Sequence, residues 1–277
     1  MREFWRRFSA DRGALVGLAI VTVIVLVALL APLIAPYDPT AQALELRRAG
    51  PSSAHPFGMD ELGRDILSRL MYGAGNTLTA GLLTVSIGIV IGVPLGLIAG
   101  YYGGLLEAIT MRAMDAMLAF PAFILAIVIV AVLEPSLQNA AIAIGISQIP
   151  SFTRLVRAST LAARHQDYVL GAVSVGSRSR RIIARHVLPN VLPPIVVFTT
   201  ISLASSILSV AGLSFLGLGA QPPASEWGLM LRSGREYIRE APQMTIVPGV
   251  AIMLVVLAFN LVGDGLRDSL DARLRRS

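Results

Sequence analysis

The side chains able to do chemistry are few and uniform. All 23 basic residues are arginine; they face 17 carboxylates and three histidines, and cysteine is absent. Without lysine there is no P-loop, which needs Gly-Lys-Ser/Thr around a phosphate, and no Schiff base. Without cysteine, disulfide and thiolate chemistry are excluded. His55, His165 and His186 stand apart, with no partner at metal-ligand spacing. Neither a nucleophile–base pair nor a metal cluster is expected. What is concentrated is charge. Between Arg154 and Pro194, seven arginines (154, 157, 164, 178, 180, 181 and 185) stand against one acid, Asp167. So polar a segment between apolar runs cannot sit in hydrocarbon, and it predicts a loop facing water. Its arginine excess puts that loop on the cytoplasmic side of a membrane.

The elements that must carry this loop are apolar. Hydrophobic residues make up 55% of the 277, and the mean hydropathy is +0.70. Ala14 to Ala35 is an uncharged run of 22 residues. At about 1.5 Å per residue it reaches roughly 33 Å, enough for the bilayer core. It is too long for a cleaved signal peptide and reads as a retained anchor. Pro36 to Asn76 is polar and predicts an extracytoplasmic segment. Within it, Leu62, Ile66, Leu67 and Leu70 share one helical face, which predicts a short helix lying on the membrane surface. A solvated linker helix is the competing reading.

Thr77 to Gly100 is a second span, with Pro94 expected to kink it and Gly88, Gly92, Gly96 and Gly100 recurring every four residues. Small residues at that spacing let two helix backbones approach closely in lipid. Tyr101 to Asp115 predicts a turn, Ala116 to Leu133 a third span. Ser136 to Phe152 predicts a weaker fourth, holding Gln138, Asn139 and Gln148; these either pack helix on helix or line a route. Val187 to Ser225 holds no charge for 39 residues, more than one span needs. The excess predicts a re-entrant or extracytoplasmic stretch near Gly212 to Ala224. Glu226 to Glu240 is polar, Ala241 to Gly263 is a sixth span, and a charged tail follows.

With both termini, Tyr101–Asp115 and Thr153–His186 inside, the cytoplasmic side holds 16 arginines and 8 acids, and the outside 7 and 9. The reverse orientation would break the positive-inside rule. That rule also accounts for the basic balance without nucleic acid. The six runs contain no Asp, Glu, Arg or His, which weighs against an ion-coupled secondary transporter.

The loop has a finer pattern. Tyr168-Val169-Leu170-Gly171-Ala172 is followed by Gly176, then nine residues, then His186-Val187-Leu188-Pro189-Asn190. This resembles the "EAA" loop of binding-protein-dependent ABC importer permeases, in which Glu-Ala-Ala, three residues, Gly, nine residues and Ile-x-Leu-Pro mark the docking loop for an ATPase. Ala172, Gly176, Leu188 and Pro189 keep the spacing; Leu170 replaces the glutamate, Gly171 the first alanine and His186 the isoleucine. Segments 55–70, 185–190 and 259–268 are similar to the dipeptide/oligopeptide C-type branch.

The resemblance implies an all-α integral membrane protein of the type I ABC importer permease fold, with six transmembrane helices and a coupling helix. It divides the chain into 1–76 (tail, first helix, extracytoplasmic segment), the transmembrane domain 77–264 and a cytoplasmic tail 265–277. It implies a bacterial cell membrane, with both termini cytoplasmic. The implied partners are a second, B-type permease subunit, two ATPase subunits that bind ATP and Mg, and an extracytoplasmic substrate-binding protein. This chain would carry no cofactor and no catalytic residue. ATPase docking would fall to Asp167, Tyr168, Val169, Leu170, Gly171, Ala172, Val175, Gly176, Arg178, Leu188 and Pro189. Gly176 would turn the chain into a second helix, which Leu188-Pro189 would end. The implied solute is a short peptide, with nickel chelates, glutathione and sugars as alternatives on the same machinery.

Overall fold

The computed structural model describes residues 2–274, and the side chains of 5–270. Among them there is no strand, only an isolated bridge between Met59 and Asp65. In chain order the helices are α1 (Arg2–Phe8), α2 (Arg12–Ile34), α3 (Ile66–Ile87), α4 (Val93–Tyr102), α5 (Gly104–Leu118) and α6 (Ala122–Leu133). There follow α7 (Leu137–Arg164), α8 (Asp167–Ser174), α9 (Ser179–Ile182), α10 (Leu188–Phe215), α11 (Trp227–Gly234) and α12 (Gln243–Leu274). Two π-turns, Gly88–Gly92 and Ile183–Val187, join α3 to α4 and α9 to α10 without a break.

Four stretches are long and apolar enough to cross a membrane: Arg12–Ile34, Ile66–Tyr102, Ser179–Phe215 and Gln243–Leu270. The pair α5–α6, bent by 85°, makes a fifth candidate. The stretch expected as a span at Ser136–Phe152 lies in α7, whose 28 residues reach about 42 Å but which is not apolar enough to count among these candidates. Its polarity has a physical cause. It packs against α3, α4, α6 and α10, so other helices rather than lipid surround most of it. Gln148 and Thr153 are therefore tolerated there.

Several expected boundaries move. No helix lies flat on the membrane surface at 62–70. Leu62 sits in a turn, and Ile66, Leu67 and Leu70 begin the long α3. Asp65 caps that helix, accepting from the Ser68 amide at 2.7 Å, so the chain enters the span directly. The charges of this segment are buried and paired. Asp60 accepts from Arg64 Nε at 2.7 Å, Arg69 Nε lies 3.4 Å from the same carboxylate, and Asp65 lies 3.0 Å from His55 Nδ1. Burying such ions unpaired would cost several kcal/mol each, on the order of the desolvation penalty.

The division at 76/77 thus falls inside α3, and that at 264/265 inside α12. Of the turn expected over Tyr101–Asp115, only Gly103 lies outside a helix; Tyr101 and Tyr102 end α4, and Gly104 to Asp115 belong to α5. The excess of Val187–Ser225 is a longer α10, followed by a connection tied to α3. Arg69 Nη2 donates to the Ala224 carbonyl at 3.1 Å, Asn76 to that of Ser225 at 2.6 Å, and Trp227 Nε1 to that of Leu70 at 3.0 Å. Glu226, fully buried, caps α11 by accepting from the amides of Gly228 and Leu229 at 2.9 and 2.8 Å. Burial pushes its carboxyl above the ordinary range, and those two donors oppose the shift.

The four-residue glycine repeat faces α7. A Cβ on Gly88 or Gly92 would lie 2.7 Å from Phe152. On Gly96 it would lie 2.6 Å from the Thr153 carbonyl oxygen, and on Gly100 2.7 Å from Thr160. The backbones meet there as closely as helices can. Pro94 and Pro189 each follow a π-turn by two residues. A proline ring clashes with the carbonyl four residues earlier, here that of Val90 or Arg185, and the wider turn accommodates it. Hence Leu188-Pro189 does not end the second helix of the loop; the chain runs helical from Ser179 to Phe215.

Candidate functional site

The basic stretch is not one loop. Arg154, Arg157 and Arg164 lie on α7, which continues past the membrane-depth residues to Arg164. Two of these cations are paired with acids of α5: Arg154 with Asp115 and Arg157 with Glu107. Arg164 stands over the Tyr101 ring, 6.0 Å from its centroid. The ion pairs tie α5, helical where a turn was expected, to α7. Its acids sit one and three turns in, on the face toward α7. The signal was present in the sequence as Glu107 and Asp115, eight residues apart and opposite an arginine excess.

His165 and Gln166 make the turn into α8. Asp167 stands in the first turn of α8, where the helix dipole favours an anion. The helix has two faces. Val169, 1% exposed, and Ala172 turn inward onto a cluster that includes Ala163, Ile182, Val187 and Val191. Tyr168, Leu170, Val173 and Val175 turn outward, with Val175 80% exposed. Partial burial raises the Tyr168 hydroxyl above its usual pKa.

Gly176 ends the helix with φ +74°. Its amide donates to the Val173 carbonyl at 2.9 Å, and the Ser177 amide donates to that of Ala172 at 3.1 Å. Those two bonds form a Schellman cap, which requires a left-handed residue at this position. Arg178 stands exposed just before α9; Leu188 is half-buried and Pro189 exposed at the start of α10.

The residues singled out in the sequence therefore separate. Tyr168, Leu170, Gly171, Val175 and Gly176 share the open side of α8, whereas Val169 and Ala172 are anchors within the chain. Leu188 and Pro189 lie beyond α9 at the foot of α10. Val173, 52% exposed, belongs to the outward apolar face and was not singled out. Its position three residues after Leu170 was the available clue. Among the described residues no group of three or more His, Cys, Asp or Glu could hold a metal ion.

An 8-residue helix with an exposed apolar side, held from behind and closed by a Schellman cap at its C-terminal end, is built to meet another surface. Comparison with known proteins agrees with that architecture. A profile of the family "Binding-protein-dependent transport system inner membrane component" matches residues 92–276. A second, "N-terminal TM domain of oligopeptide transport permease C", matches 1–51. The chain is 46% identical over 274 residues to the dipeptide transport system permease protein DppC of Alkalihalophilus pseudofirmus, covering 99% of this chain and 90% of that protein. It is 47% identical to the glutathione transport system permease protein GsiD of Escherichia coli, with the same coverage. In fold it is similar to a chain of an inward-facing MetNI methionine ABC transporter, with a TM-score of 0.59 and 20% identity over 73% of this chain and 96% of the other. The chain belongs to the family of inner membrane components of binding-protein-dependent transport systems.

Proposed function

We propose that this chain is the C-type permease subunit of an ABC importer for short peptides, and that α8 is the element through which an ATPase subunit drives it. The observation that carries the reading is the two-faced α8. Val169 and Ala172 fix it to the foot of α10, while Tyr168, Leu170, Val173 and Val175 present an apolar surface with no covering segment among the described residues. A second permease subunit completes the route, two ATPase subunits supply ATP hydrolysis with Mg, and a binding protein delivers solute from outside. This subunit does no chemistry itself. Related permeases bear the names of dipeptide and glutathione transporters, and both solutes carry peptide amides. The transmembrane domain, bounded at 77 and 264 in the sequence, moves as packed helices rocking against those of the partner subunit.

Leu170 tests the docking. It stands at the family's glutamate position and is 50% exposed, so an apolar seat on the ATPase is expected. Leu170→Asp buries an unpaired carboxylate on assembly and should reduce co-purification of the ATPases about tenfold or more. Leu170→Met keeps the volume and should assemble normally. Equal recovery of ATPase with both variants would refute the docking role of this face.

Orientation is tested separately. With both termini inside, Glu45→Cys and Glu236→Cys should react with an impermeant thiol reagent from outside, and Arg164→Cys only from inside. The chain has no cysteine of its own, so each label is unambiguous. Labelling of Glu236→Cys from the inner side alone would reverse the topology.

A further inference from the structure

A cleft of about 310 Å³ opens between α6, α7 and α10. Its wall carries Ser147, Gln148 and Ser151 from α7 and Ser202, Ser205 and Ser209 from α10. These positions fall close to the middle of two 28-residue helices, of which α10 belongs to a stretch apolar enough to cross a membrane. None of the lining residues is charged.

The hydroxyl protons divide the wall. Ser147 donates to the Ile144 carbonyl at 2.8 Å, Ser205 to that of Ser202 at 3.0 Å, and Ser209 to that of Ser205 at 2.8 Å. These three hydroxyls have used their protons on their own helices and offer only lone pairs. Ser151 and Ser202 make no hydrogen bond among the described residues through their hydroxyls, so they can donate as well as accept. Gln148 is fixed by a neighbour. Ser206 donates its proton to the Ser202 carbonyl at 2.6 Å and can only accept from Gln148, whose Nε2 lies 2.7 Å away. One of the two amide protons is thereby committed, and Gln148 Oε1 is buried without a partner.

Polar residues that glue helices together bond across the interface. Here one bond, Gln148 to Ser206, joins α7 to α10 along this wall. The hydroxyl residues Ser151, Ser202, Ser205 and Ser209 line the cleft, where unmet polar groups are costly unless water or a solute meets them. We propose that this cleft is the chain's share of the solute route, and that its mixed acceptors and donors meet the N–H and C=O groups of a peptide in passage. The inference rests on the importer reading above and names the surface that handles the solute. A neutral wall of several weak partners suits transit, since a site must release what it binds.

The test uses the complete transporter with its binding protein in proteoliposomes, with a dipeptide as the solute. Ser205→Phe, which fills the cleft, should lower uptake tenfold or more while the ATPases stay bound, and Ser205→Ala should keep most of it. Ser205→Cys and Ser151→Cys should react with a small water-soluble thiosulfonate, and dipeptide under turnover should slow that reaction. Leu26→Cys, on the exposed side of α2, should not react. Wild-type uptake by Ser205→Phe, or a Ser205→Cys no more reactive than Leu26→Cys, overturns the proposal. If Ser205→Phe fails to assemble, the labelling decides alone. Failure of the unmodified chain to bind ATPases would instead sink the importer reading, and the reactivity of Ser205→Cys would still judge the cleft.

Discussion

Gly176→Asp is expected to insert and fold like the unmodified chain, yet to lose ATPase association and at least about tenfold of solute uptake, the effect of burying an unpaired charge at an interface. The separation of these outcomes follows from local geometry. Gly176 has φ +74°, where a side chain ordinarily costs about 1 kcal/mol or more. Aspartate enters that region more readily than most residues with a Cβ. A Cβ at Gly176 would also meet nothing within 4 Å. The chain can therefore absorb the substitution and keep its Schellman cap. What it adds is a carboxylate beside Val175 and the outward apolar face of α8. Gly176→Val puts the damage elsewhere: its branched side chain opposes the left-handed backbone and should unwind the end of α8. Co-purification of the ATPases and uptake in vesicles read the first variant, and protease sensitivity at 175–178 the second. Wild-type assembly and uptake by Gly176→Asp would show that Tyr168 to Gly176 is not the docking segment.

The largest loss of folded protein is expected from Gly96→Leu. A Cβ there would lie 2.6 Å from the Thr153 carbonyl oxygen, 2.7 Å from Val156 Cβ and 3.0 Å from the Arg157 amide nitrogen. Two of these are backbone atoms of α7 and cannot rotate away. Relief requires α4 and α7 to separate, which also breaks the contacts at Gly92 and Gly100. Overpacking a core commonly costs about 1–3 kcal/mol, and this position has no soft neighbour to yield. The variant should give little monodisperse protein after detergent extraction, and what is recovered should unfold well below the wild-type temperature. Gly171→Ala is the matching control. It lies within a helix with nothing within 4 Å of the added carbon, so extraction and melting should be unchanged. A Gly96→Leu chain that extracts and melts like wild type would mean that α4 and α7 do not pack as described.

The comparison of sequence and structure divides along a physical line. Helices that face lipid were legible because lipid demands uncharged runs: α2 and the apolar part of α12 sit within a few residues of where the runs placed them. The helix end at Gly176 was legible because a glycine between two helical stretches has one common use. Elements that face protein were harder. α7 can carry polar residues because it packs among helices, with Gln148 bonded to Ser206 of α10 and Thr153 to the Ile149 carbonyl of its own helix, so it resembled a weak span, and its last turns resembled a loop. The charges of segment 55–70 had the spacing of a solvated face. Spacing along a chain does not show that Asp60 closes on both Arg64 and Arg69. The outward face of α8 was named in part. Val169 and Ala172 belong to the same motif as Leu170, and only the orientation of the helix separates anchors from open positions. The serines of the cleft had no signal in the sequence, because their arrangement depends on how α7 and α10 face each other.

The π-turn at Gly88–Gly92 has a further consequence for the glycines around it. An α-helix advances about 100° per residue, so a repeat of four overshoots by about 40° at every step. From Gly88 to Gly100 that error would reach about 120°, and the last glycine would point away from α7. A π-turn lodges one extra residue in a single turn and takes back about 100°. The bulge is thus a phase correction: it keeps a four-residue rhythm aimed along one line, where an unbroken helix would need an irregular spacing of glycines. Seen so, the proline at 94 and the glycines at 88, 92, 96 and 100 form one device, in which the ring that forces the extra residue also keeps the smooth edge of the helix turned to its neighbour.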